Sequence, residues 1–167
     1  MMKHSMLFLS VLSVSQMMTA QEFDWAGFEN LIDKTWHAEE YWDDGGHFKQ
    51  TVTFSYDLEG TIVIAKSQGY VDEHQTVYGD RNHGIRKWDA ANKQFTFYEF
   101  DVFGGVTTGT IRFEGKNIIY SYEYGGLHLE DRWTYLDDRT YRFEVVSVSK
   151  EGDKTYLSTT FREVTDE

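Results

Sequence analysis

The sequence predicts an all-β protein: a single up-and-down antiparallel barrel of eight to ten strands, with a short N-terminal helix. Three observations predict it. From Phe48 to Val164, short segments rich in aromatic and β-branched residues alternate with turns bearing glycine or aspartate. Most connections are only a few residues long, which joins antiparallel neighbours and leaves no room for helical crossovers. Aromatic residues make up 17% of the 167, a surplus over what a simple core needs. A meander of this length must close on itself to hide its edges, and the surplus makes a barrel enclosing a ligand cavity the leading reading.

The ends bound the domain. Lys3 and His4 precede the apolar run from Met6 to Val14, and Thr19-Ala20 closes it. A basic start, a short apolar stretch and a small residue at the end form the pattern of a secretory signal peptide over residues 1–20. The run is too short to cross a bilayer core of about 30 Å, so export to a periplasmic or extracellular space is expected, without a stable membrane anchor. Residues 21–167 then form one domain. The chain has no cysteine and no proline, which excludes a disulfide framework and gives no sign of an internal linker. A formal net charge of −12 at pH 7 argues against nucleic acid or anionic membrane as a partner.

Along the chain, the helical stretch runs from Phe23 to Asp33. Trp25, Phe28, Leu31 and Ile32 follow the spacing of one helical face, and Asp24 suits its N-cap. So short a helix needs packing to persist, as a plug over one barrel end or as a lid. Strands are expected near 35–42, 47–56, 61–70, 74–79, 83–88, 94–101, 106–114, 117–124, 127–135, 140–149 and 154–164. The fourth is the weakest, because its flanks from Val71 to Gln75 and from Gly79 to His83 read as loop. In 47–56, Phe48, Val52, Phe54 and Tyr56 share one face while Lys49, Thr51, Thr53 and Ser55 share the other, the pattern of a half-buried strand. In 117–124, Ile118, Tyr120, Tyr122 and Tyr124 share a face. In 127–135, Leu127, Leu129, Trp133 and Tyr135 oppose His128, Glu130, Arg132 and Thr134.

The segment from Gly84 to Phe95, followed by Phe100-Asp101, Gly104-Gly105, Gly109, Gly115 and Arg132-Trp133-Thr134-Tyr135, resembles small uncharacterised calycin domains with a lipocalin-like barrel. In these an aromatic-Asp turn follows a strand and a glycine-bearing hairpin comes next. Leu31 to Trp36 looks like their first strand, in which a tryptophan closes the barrel base. The resemblance covers roughly residues 30–164 and implies a barrel of eight to ten strands; it implies no particular reaction.

The chemistry-bearing residues separate several functions. No Gly-x-Ser-x-Gly elbow exists and cysteine is absent, which argues against nucleophilic catalysis. Asp72, Glu73, His74, Asp80 and His83 lie close in sequence without metal-ligand spacing, so no metal site is expected. No cofactor is implied. Ligand-binding candidates are Trp36, Trp88, Tyr98, Tyr122 and Tyr141 as cavity lining, with Arg86, Glu99 and Arg132 as polar contacts. Arg86 shares a face with Trp88, Glu99 shares one with Phe95 and Phe97, and an arginine in a pocket can orient a carboxylate through paired hydrogen bonds. Their alternative role is in cross-strand ion pairs on the outer face. The function expected is the binding of a small hydrophobic or amphipathic ligand. The alternatives are an acid–base isomerase, cyclase or hydrolase working in the same barrel, and an interaction protein with a solidly packed interior.

Overall fold

The computed structural model describes residues 24–25, 27–41 and 46–165. The expected signal peptide over 1–20 lies outside these residues. Ten strands follow one another: β1 Thr35–Tyr41, β2 His47–Asp57, β3 Ile62–Tyr70, β4 Tyr78–Asp89, β5 Gln94–Asp101, β6 Val106–Glu114, β7 Asn117–Tyr124, β8 Leu127–Asp137, β9 Thr140–Ser147 and β10 Lys154–Glu163. Each pairs antiparallel with the next, and β1 pairs with β10, so the sheet is a closed barrel. That seam is the shortest in the sheet, with Trp36 opposite Glu163 and His37 opposite Arg162. Closure leaves no edge strand to be covered.

The sequence accounts for the elements locally. In β2, Val52 and Phe54 are buried while Thr53 and Ser55 are exposed, the period-2 alternation of a strand with one wet face. β7 and β8 meet at Gly125-Gly126, with φ of 60° and 79°. A two-residue type I′ hairpin needs positive φ at both central positions, which glycine adopts without a side-chain clash. At the β5–β6 turn, an Asp101 carboxylate oxygen accepts hydrogen bonds from the backbone N–H of Phe103 and of Gly105, both at 2.8 Å.

One expectation needs correction. The separate segments near 74–79 and 83–88 are one strand, β4, which pairs along its length with β3 and carries a register shift opposite Ser67 and Gln68. In the polar run Asp80-Arg81-Asn82-His83, Asn82 and His83 pair with both β3 and β5, Asp80 pairs with Gln68 of β3, and Arg81 sits at the register shift. The loop before it is organised by the Asp72 carboxylate, which accepts from the backbone of Thr76 and Val77. The expected helix over 23–33 falls partly on residues 23 and 26, which lie outside the described set. Its described part forms turns, in which Phe28 N–H donates to the Trp25 carbonyl and Leu31 N–H to the Phe28 carbonyl.

This N-terminal segment closes one end of the barrel. Trp25, Phe28 and Leu31 are buried, and the Trp25 indole N–H donates to the Gly60 carbonyl at 2.9 Å. The Phe28 ring sits 5.6 Å from Phe113 and 5.8 Å from Phe54. A Cβ at Gly27 would overlap the Phe113 ring, so glycine is what allows the segment to approach so closely. The largest wholly buried side chains are Trp36, Tyr141, Phe28 and Phe161. Three of them, Trp36, Tyr141 and Phe28, pack at this closed end. The opposite end, where β1–β2, β3–β4, β5–β6, β7–β8 and β9–β10 connect, has no such plug among the described residues.

Candidate functional site

The half of the barrel away from the plug encloses a cavity of about 460 Å³. Apolar side chains form most of its wall, including Phe54, Phe97, Trp133 and Phe143 on the plug side and Phe48, Leu129 and Leu157 toward the opening. The solidly packed interior considered above is therefore not what the chain builds. Trp133 anchors the plug-side wall, stacked on Phe161 at 4.7 Å and set edge-on to Phe54 at 5.7 Å. Such pairs fix ring positions beyond what area burial alone does.

Within this apolar wall sits one polar cluster, contributed by β4, β5, β7 and β8. Arg86 is 6% exposed. Its Nη2 stands 2.9 Å from Glu99 Oε2, and its Nε–H donates to the Tyr120 hydroxyl at 3.2 Å. Arg86 Nη2 and Glu99 Oε2 form an ion pair, while neither Arg86 Nη1 nor Glu99 Oε2 meets hydrogen-bond geometry with a partner among the described residues. Gly84 makes room for them: a Cβ there would overlap both Arg86 Nη1 and Glu99 Oε2. Asp131 lies directly across the β7–β8 ladder from Tyr120, and the Tyr122 hydroxyl donates to its Oδ1 at 2.9 Å. The Ser67 hydroxyl, also on the cavity wall, is buried with no partner among the described residues.

The electrostatics follow from burial. Asp131 lies deep among protein atoms, and the surface it keeps faces the cavity. Burial pushes its carboxyl from 3.8 up to about 7; the Glu99 charge pushes the same way, against the Tyr122 hydrogen bond and Arg86. Tyr122 is driven well above its ordinary value by burial and by the adjacent Asp131. Burial also raises Tyr120, although Arg86 draws it back. For Arg86, burial opposes the charge, but Tyr120 and Glu99 outweigh it and hold the guanidinium above its ordinary range.

The structure brings together three of the eight residues predicted to contact a ligand: Arg86, Glu99 and Tyr122. Trp36, Trp88 and Tyr141 point inward but sit in the closed half. Trp36 donates to the Leu31 carbonyl at 3.2 Å and packs edge-on against Tyr141 at 5.3 Å, while Trp88 packs on Phe95 at 4.9 Å. Tyr98 and Arg132 lie on the outer face. Tyr98 is 39% exposed because β5 turns Phe97 and Glu99 inward. Arg132 pairs with Glu130 at 2.7 Å and Asp153 at 3.0 Å, an ion-pair group on the outer face that covers the buried Glu130.

Sequence reasoning passed over two members of the cluster, Tyr120, which it placed on a face with Tyr122 but did not assign to the site, and Asp131. Asp131 is the charged one. It occupies the middle of the inward series Leu129, Asp131, Trp133, and a carboxylate at an apolar-face position of a strand is the signal that marks it. Among the described residues, no group of three His, Cys, Asp or Glu side chains is arranged to hold a metal ion. A second, wider groove of about 680 Å³ runs along the outside past Thr53, Lys66, His83 and Phe100. It shares Ser67, Arg81 and Asn82 with the cavity, but Arg86, Glu99, Tyr120, Tyr122 and Asp131 do not line it.

No family profile and no curated protein sequence matches the chain. The solved structures similar to it in shape include the following two. One is a redesigned β-barrel, 12% identical, covering 84% of this chain and 96% of its own, with a TM-score of 0.43. The other is an S-type phycobiliprotein lyase from Guillardia theta, 11% identical, covering 84% of this chain and 90% of its own, with a TM-score of 0.45.

Proposed function

We propose that this chain is an exported, lipocalin-like carrier that holds one small, mostly apolar molecule in the open half of its barrel. The ligand's polar end would lie against the cluster formed by Arg86, Glu99, Tyr120, Tyr122 and Asp131. The observation that carries this reading is the cavity of about 460 Å³ with aromatic walls and one localised set of interacting charged and phenolic groups. Pockets that are largely apolar, with a few convergent polar groups, are the usual form of small-molecule sites. The lip at the open end supports it: Val102, Phe103, Val106, Tyr124 and Leu127 are all exposed there, an apolar approach for an apolar ligand. Export rests on the pattern of residues 1–20.

The same groups favour a second reading on one specific observation. A carboxyl held near neutrality beside a phenol, as Asp131 is beside Tyr122, suits a general acid or base acting on the bound molecule.

The test of the carrier reading is a binding screen of the purified protein. Fatty acids, aromatic acids and amines, and tetrapyrroles are titrated while tryptophan emission and melting temperature are followed. Trp133 on the cavity wall should report occupancy, and at least one class should shift both signals with one-to-one stoichiometry. Indifference of both signals to the whole set would end the reading.

A further inference from the structure

The charges around the cavity are not balanced where the ligand would sit. Arg86 and Glu99 neutralise each other at 2.9 Å. The free Nη1 of Arg86 lies over the Cα of Gly84, in the space a Cβ would take, so it faces that wall. Arg81, the other cation on the cavity lining, donates to the Tyr70 carbonyl and lies over the Phe103 ring at 5.4 Å, at the lip. Asp131 has neither of them. Among the described residues it makes no ion pair, and its bond is the one from the Tyr122 hydroxyl. At Asp131 the field of Glu99 outweighs that of Arg86. A carboxylate removed from water with no counter-cation is costly, and that cost is relieved by a ligand that brings the missing charge.

The rings around it suit such a ligand. Tyr120 and Tyr122 flank Asp131 from the neighbouring strand, and Phe97 packs edge-on to both, at 5.1 and 6.1 Å. Together with Trp133 they offer π faces and apolar bodies in one compartment. Aromatic faces attract cations, most strongly when the cation is desolvated. A carboxylate ligand, by contrast, would be set beside two carboxyl groups with the nearest arginine already paired. The net charge of −12 also favours the approach of cations over anions.

We propose that the cavity takes an organic cation: a protonated or quaternary amine on an apolar body, its charge against Asp131 and its body among Phe97, Tyr120, Tyr122 and Trp133. This rests on the carrier reading and specifies the chemistry of its ligand.

A matched pair of probes tests it. Benzyltrimethylammonium and neopentylbenzene have the same shape and differ by a positive nitrogen in place of a carbon. At pH 8, where Asp131 is mainly ionised, the ammonium should bind the full chain at least tenfold tighter, read by tryptophan quenching and confirmed by calorimetry. In Asp131→Asn that preference should vanish while neopentylbenzene still binds, and a cooperative melt of the variant confirms that it is folded. Equal or tighter binding of the neutral probe by the wild type overturns the proposal and leaves the carrier reading standing. So does a preference that survives Asp131→Asn. Binding of neither probe counts against both.

Discussion

Replacing Arg86 with methionine is expected to cost about 3–5 kcal/mol of folding stability, the usual penalty for breaking a buried ion pair from one side. The guanidinium is buried and serves two partners, Glu99 and the Tyr120 hydroxyl. Methionine fills similar volume, so the loss is electrostatic rather than a cavity. It leaves the Glu99 carboxylate inside the barrel with Asp131 as its charged neighbour. Glu99 keeps some exposure, with 21% of its side chain accessible, which places the effect toward the lower end of that range. Urea denaturation followed by circular dichroism measures it as a lowered midpoint at unchanged slope. Removing Glu99 as well, in Arg86→Met/Glu99→Leu, should recover most of the loss, because the pair's attraction mainly offsets its own desolvation.

Asp131→Asn is expected to do the opposite and stabilise the protein above neutral pH. In the unfolded chain this carboxyl titrates near 3.8; in the folded barrel it titrates near 7. Between those values the folded state holds a proton that the unfolded state has released. Asp131 therefore makes stability fall as pH rises from about 4 to 7, and the effect is complete above 7. A displacement of that size corresponds to about 4 kcal/mol, an upper figure because the site faces a cavity that admits water. Asparagine carries no charge at any pH. The difference in stability between variant and wild type should be flat below pH 4, grow in the variant's favour through pH 4–7 and level off above. At pH 8 the variant should melt about 10 °C higher. Taking the difference between the two proteins removes the opposite trend that the surface acids contribute. A difference that does not change with pH would show that Asp131 is not the deeply placed acid described above.

The barrel was legible in the sequence because its signals are local. Alternation in 47–56, the paired glycines 125–126 and Asp101 before its turn each determine a piece of backbone without reference to the rest. Asp80-Arg81-Asn82-His83 misled because polar residues here are kept in the strand by pairing, Asp80 to β3 and Asn82 and His83 to both β3 and β5, a non-local effect. The site was half legible for a related reason. Alternation tells which face a side chain takes, and so groups Trp36, Arg86, Trp88, Glu99, Tyr122 and Tyr141 as inward. It says nothing about depth along the barrel axis. Depth is decided by the docking of Trp25, Phe28 and Leu31 at one end, which packs Trp36 and Tyr141 solid and leaves Arg86, Glu99 and Tyr122 around a space. Asp131 was missed because a single acid within an apolar alternation looks like a break in the pattern. In the folded barrel it is the group on which the pattern converges.

As a carrier, the open half of the barrel is a container for one small molecule. The most direct measurement is native mass spectrometry of the protein recovered without denaturation from the cells that make it, beside the variant Thr107→Trp. Thr107 lines the cavity on β6 and keeps partial exposure, so an indole there fills the space from a tolerant position. One small-molecule adduct is expected per wild-type chain and none on the variant. A wild-type mass equal to that of the bare chain, or the same adduct on both proteins, would contradict it.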